Sequence, residues 1–212
     1  MNRLQSELQR LYASDGCDVR ALVLELARPA DWDALGQVWR GVQADLQLPA
    51  PGIAVSGTDG LQLWFSLQQP VSAARAGDFL ARLRARYLPG IAPTRVRAAT
   101  QPPTVPAQDA ATGNWSAFVA PDLAPVFADT PWLDIQPGAE GQADLLARLE
   151  SVKPAAFDAA MQTLKPAAPA MAASSTASRD LDPRRFLQQV LNDESAPLAL
   201  RVEAAKVLLQ HR

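Results

Sequence analysis

The chain holds one cysteine, Cys17, and one histidine, His211. A zinc site built from Cys and His needs three or four such ligands, so one copy of this sequence cannot supply it. A Ser-His-Asp or Cys-His catalytic group would depend on His211, next to last in the sequence, where chain ends fray. A single thiol forms no intrachain disulfide, which accords with a reducing compartment. Lysine is also scarce, occurring only at Lys153, Lys165 and Lys206, so the positive charge is nearly all arginine. No apolar run approaches the roughly 20 residues of a membrane span. The stretch Met1 to Glu7 lacks the pattern of a secretory signal. The expectation is a soluble cytoplasmic protein that makes no membrane contact.

Against these absences stand 212 residues, 48% hydrophobic and 20% charged, with a net charge of −2. That is the composition of an ordinary globular domain, and the length allows one domain with appendages or two small ones. Eighteen prolines punctuate the chain.

Hydrophobic periodicity divides the first hundred residues into alternating elements. Asn2 to Tyr12 reads as an amphipathic helix, with Leu4, Leu8 and Leu11 on one face. Ser14-Asp15-Gly16 ends it. Arg20 to Ala27 is a nearly unbroken apolar run carrying one acid, Glu25, as expected of a central strand buried on both faces. A helix capped at Asp31 or Ala30 runs to about Leu46, with Leu35, Val38, Trp39, Val42 and Leu46 inward. Gly52 to Ser56 and Leu61 to Leu67 are strands joined by the turn Gly57-Thr58-Asp59-Gly60. Ser72 to Leu88 is a further helix, with Phe79, Leu80, Leu83 and Tyr87 inward, and Thr94 to Ala98 a fourth strand. The order β-α-β-β-α-β predicts an α+β fold with a ferredoxin-like (RRM-like) core, four antiparallel strands carrying two helices on one face. Right-handed crossovers place its first and third strands side by side at the centre.

Beyond residue 99 the expectations are looser. Asn114 to Gly138 reads as irregular, Pro- and aromatic-rich chain packed on the sheet, and Glu140 to Val152 and Pro154 to Leu164 as two helices. The predicted organisation is a core at 1–99 with its N-terminal helix, a cover at 100–164, a flexible linker at 165–181, and an α-helical hairpin tail at 182–212.

One segment carries chemistry. Glu25-Leu26-Ala27-Arg28-Pro29 is followed, about 26 residues on, by Ser56-Gly57-Thr58-Asp59-Gly60-Leu61-Gln62-Leu63-Trp64. This resembles the palm of archaeo-eukaryotic primase-polymerases, and in particular the polymerase domain of bacterial end-joining DNA ligases. There a strand ends in Asp-x-Asp-Pro and a later hairpin reads Ser-Gly-Gly-x-Gly-x-His. The resemblance covers about 75 of the 212 residues. It implies an RRM-like palm in which two carboxylates on one strand face hold divalent metals and the histidine meets nucleotide phosphates.

The sequence departs from that pattern at both critical points. The second acid matches Ala27 and the histidine matches Gln62, so the palm is degenerate and its catalysis is expected to be absent. No catalytic residue and no cofactor are assigned. Mg or Mn would enter only if the chain were a divergent nucleotidyltransferase drawing acids from elsewhere. Candidate nucleotide-binding residues are Glu25, Ser56, Gly57, Thr58, Asp59, Gly60 and Gln62, with Glu25 also the one metal candidate.

Each candidate has a structural alternative. Glu25 can face solvent or pair with an arginine. The glycine-bearing hairpin can cradle a phosphate or simply turn the chain. Trp64 shares the face of Gln62 and can stack on a base or belong to a core. Arg75, Arg82 and Arg86 share a helix face and, with Arg95 and Arg97, can track phosphates or form a solvated surface. The leading expectation is a non-catalytic, primase-polymerase-like protein that binds DNA or a nucleotide. The alternative is an assembly module that engages a protein partner through 182–212.

Overall fold

A computed structural model describes residues 2–13 and 18–165. The fold is α+β, with five strands in one antiparallel sheet and, among the described residues, five α-helices. In chain order these are α1 (Arg3–Tyr12), β1 (Val19–Ala27), α2 (Trp32–Ala44), β2 (Gly52–Val55), β3 (Gly60–Val71), α3 (Ala73–Tyr87), β4 (Val96–Ala99), β5 (Ala117–Val119), α4 (Ala139–Ala147) and α5 (Pro154–Thr163). The strand order is β4-β1-β3-β2-β5. Residues Met1–Ala167 form one compact unit. The expected turn at 14–16, most of the linker 165–181 and the helical hairpin 182–212 lie outside the described residues.

The apolar run of β1 is explained by its place. It lies between β3 and β4, and eight of its nine residues are buried. Alternation along the strands sorts two cores. Leu22, Leu24 and Leu26 of β1, Leu61, Leu63 and Phe65 of β3, and Ile53 and Val55 of β2 meet Leu35, Val38 and Val42 of α2 and Phe79, Leu80 and Leu83 of α3. Each fully buried Leu or Phe contributes about 1.5–3 kcal/mol relative to exposure. The opposite face carries Ala21, Val23, Ala54 and Trp64, which pack against Leu11 and Tyr12 of α1, Phe118 and Leu146.

Helix starts follow their caps. The Asn2 side chain accepts from the Gln5 N–H, and the Gln5 side chain answers to the Asn2 N–H, so α1 opens on a capping box. Asp31 caps α2 through the Ala34 N–H, and Ser72 caps α3 through the Arg75 N–H.

Several expectations are corrected. The sheet has five strands, not four, because Ala117–Val119, inside the segment expected to be irregular, pairs with β2. Helices cover both faces, since α1 and α4 pack on the side opposite α2 and α3, where only the irregular chain 114–138 was expected as a cover. The third strand is longer than expected, Gly60–Val71, and the fourth begins at Val96, after a 3-10 turn at Pro93–Arg95. The second helix stops at Ala44, although Leu46 still reaches the core, and Trp39 is half-buried. The fourth helix stops at Ala147. The chain after it returns to β3, where Val152 N–H donates to Ser66 O at 2.7 Å and Gln68 N–H donates to Val152 O at 2.9 Å.

Candidate functional site

The β1–β3 register sets Glu25 opposite Gln62 and Ala27 opposite Gly60, and the β1–β4 register sets Glu25 opposite Arg97. Glu25 is therefore the middle of a three-strand row. Gln62 Nε2 donates to its Oε2 at 3.0 Å and Arg97 Nη1 to its Oε1 at 2.6 Å. Gln62 Oε1 in turn accepts from the Trp64 indole N–H at 2.9 Å. A buried carboxylate is tolerable when both oxygens are bonded and a countercharge is adjacent, and Glu25 meets both conditions.

The β2–β3 hairpin extends the row outward. Arg97 also donates to both carboxylate oxygens of Asp59, at 3.3 and 3.2 Å. The Arg28 side chain reaches Asp59 Oδ2 at 3.0 Å, and its own N–H donates to the Asp59 carbonyl at 3.2 Å. Burial disfavours the charged form of Asp59, but the hydrogen bonds and charges of Arg97 and Arg28 outweigh it. They hold the carboxyl below the usual range. Burial alone would lower the pKa of Arg97, and the two carboxylates reverse that, raising it above its ordinary value.

The glycine-bearing turn is occupied from within. Ser56 Oγ accepts from the N–H groups of Thr58, Asp59 and Gly60 at 3.2, 3.1 and 2.9 Å. One hydroxyl oxygen thus stands where three converging amides could hold a phosphate oxygen. Gly57 has φ +84°, the left-handed region, and its N–H donates to Pro131 O at 3.0 Å. A Cβ at Gly60 would lie 2.7 Å from Glu25 Oε1, so the close approach of β3 to Glu25 requires glycine there.

The structure thus brings together Glu25, Ser56, Gly57, Thr58, Asp59, Gly60 and Gln62, and adds Arg97 and Arg28 to them. The donor set does not fit a metal pair. Ala27 offers no ligand atom, both Glu25 oxygens are bonded to Arg97 and Gln62, and Asp59 is paired with two arginines. Among the described residues there is no group of three or more His, Cys, Asp or Glu side chains placed to hold a metal.

The nucleic-acid candidates separate. Trp64 is 3% exposed and sits between Tyr12 and Phe118, with centroids 5.1 and 5.2 Å away, so it has no free face for a base. Of the two readings of Trp64, stacking platform or core, burial favours the core. Each candidate arginine has a partner within the fold. Arg75 pairs with Asp158, Arg82 with Asp78 and the Met161 carbonyl, and Arg86 with Asp45. Arg95 binds the carbonyl oxygens of Ala27 and Pro29, bracing the end of β1.

Arg28 escapes the sequence reading. Its signal was its place at the end of the strand that pairs with the hairpin strand, which sets it beside the turn carrying Asp59. No protein-family model matches the chain, and comparison with curated proteins finds no significant match.

Proposed function

We propose that the chain is a primase-polymerase-like palm of the ferredoxin-like (RRM-like) type that has lost nucleotidyl transfer and keeps a nucleic-acid or nucleotide-binding role. One observation carries the reading. Glu25 on β1, the Ser56–Gly60 turn and Gln62 on β3 converge at one end of the sheet, with the Arg97 guanidinium between Glu25 and Asp59. The order β4-β1-β3-β2 supports a ferredoxin-like unit, with β5 added at the β2 edge. A fixed guanidinium in place of exchangeable divalent ions bridges the two carboxylates but activates no hydroxyl and holds no triphosphate, so catalysis is lost while the scaffold remains.

Binding is assigned to the exposed arginines rather than to the sheet. The side chains of Arg28, Arg75 and Arg86 are 65%, 47% and 40% exposed. Exposed ion pairs contribute about 0–1 kcal/mol, so a phosphate can displace their carboxylates at little cost. The test is fluorescence anisotropy of a labelled primer-template with a single-stranded overhang, at two salt concentrations. Expected are binding that weakens steeply with salt, its loss in the double variant Arg28→Glu with Arg86→Glu, and no nucleotide incorporation with Mg or Mn. Absence of primer-template binding at low salt removes the nucleic-acid role, and failure of a fluorescent nucleoside triphosphate to bind as well overturns the reading. The assembly-module alternative, in which a protein partner engages 182–212, would then stand.

A further inference from the structure

A cavity of about 320 Å³ opens at the β2–β5 edge of the sheet, away from the Glu25 row. Trp39, Pro51, Ile53, Phe118 and Leu149 wall it, and Asp122 and Arg148 stand among its lining residues. Its size is at the lower end of small-molecule sites, about 300–1,000 Å³, and its mix of apolar walls with few polar groups matches theirs.

A second, independent observation lies just behind the cavity, where Tyr12, Gly52 and Leu149 border a closed space with no room for a water molecule. The Tyr12 hydroxyl is the one fully buried side-chain polar atom without a hydrogen-bond partner among the described residues. Its ring stacks on Phe118, 6.1 Å between centroids and 5° between planes. A Cβ placed on Gly52 would lie 3.1 Å from the hydroxyl and 2.9 Å from Leu149 Cδ1. The hydroxyl therefore sits behind Gly52 and Leu149, two residues that line the cavity. Native structures rarely leave a buried O–H unpaired. Burial pushes the phenol pKa well up, against a small opposing effect of Arg10, so the group is a neutral donor at ordinary pH.

We propose that this cavity binds a small, mainly apolar molecule carrying a hydrogen-bond acceptor such as a carbonyl. The Tyr12 hydroxyl meets that acceptor once the half-buried Leu149 side chain turns aside. The apolar body lies against Trp39 and Phe118.

The test uses the full chain and the naphthyl ketone dye prodan, whose emission reports both polarity and hydrogen bonding at its carbonyl. Expected is saturable binding at one site with emission to the blue of that in water. Tyr12→Phe should weaken it about three- to tenfold, the value of one hydrogen bond, and shift the bound emission further blue. Ala120→Trp and Ala50→Trp, two independent substitutions in the cavity lining, should each weaken binding by at least about tenfold. Circular dichroism identifies folded variants, and one folded filling variant suffices. Non-saturable binding to the unaltered chain, or unchanged affinity in a folded filling variant, overturns the site. Unchanged affinity and emission in Tyr12→Phe overturn the role of the hydroxyl.

Discussion

The Arg97 guanidinium lies 2.6 Å from Glu25 Oε1 across the β1–β4 pair, and among the described residues it is the one cation paired with this nearly buried carboxylate. The Glu25 side chain is 11% exposed and that of Arg97 40%, so the pair is screened on one side only. Arg97→Ala leaves the carboxylate with the neutral Gln62 amide as its partner. A destabilisation of about 1–3 kcal/mol is expected, less than a fully buried pair would cost because Arg97 reaches solvent. Adding Glu25→Gln to that variant should recover part of the loss, as the urea midpoints of the two variants will reveal.

Acid should act through Asp59. Its pKa is held below the unfolded value of about 3.9, so its contribution to stability is full above that pH and is lost as pH falls through the folded value. Unfolding free energy should therefore drop below about pH 4, and Asp59→Asn should flatten that part of the curve. The effect is small, since the side chain is 37% exposed. Parallel urea titrations at neutral and acid pH check it, and an unchanged acid slope in Asp59→Asn refutes it.

Gln142 closes one edge of the sheet. Its side chain accepts from the Phe118 N–H at 2.8 Å and donates to the Phe118 carbonyl at 2.9 Å, taking the place of a neighbouring strand. Gln142→Leu keeps the volume but strands both backbone groups in a buried position. A loss of about 2 kcal/mol is expected, with faster amide exchange at Phe118. Exchange unchanged at that amide would show that the edge is satisfied in another way.

Gly41 reverses the usual helix rule. Gly→Ala inside a helix ordinarily stabilises by about 1 kcal/mol. Here a Cβ would fall 2.3 Å from the Tyr87 ring, whose hydroxyl donates to Asp45 at 3.0 Å. Gly41→Ala must push α2 and α3 apart or break that bond, and a loss of about 1–3 kcal/mol is expected. Thermal melts decide the sign. Burial first, and then the hydrogen bond to Asp45, push the Tyr87 pKa up to about 12. Loss of that bond should therefore appear as a lower phenol titration point.

The elements of the first hundred residues were legible because their signals are local. The continuous apolar run of β1 predicted a central strand, and it lies between two others. The spacing of Phe79, Leu80 and Leu83 predicted the buried face of α3. The convergence of Glu25, the hairpin turn and Gln62 followed from strand order. By contrast, β5 has three residues, too short for a period of two to emerge from a Pro-rich segment.

What the sequence determined by itself is the alternation of helices and strands, the inward residues of each, and that positions 27 and 62 hold Ala27 and Gln62, neither a carboxylate nor an imidazole. Backbone geometry imposes those periods within a few neighbouring residues. Only the tertiary structure decided that the second sheet face is closed, that Trp64 is core, and that the local excess of arginine is largely neutralised. Apart from Asp78, four residues from Arg82, the partners that do this lie far away in the chain: Asp59 is 38 residues from Arg97, and Asp158 is 83 from Arg75. Charge counts in a window cannot register such partners, because the pairing depends on which elements the sheet and its helices bring side by side.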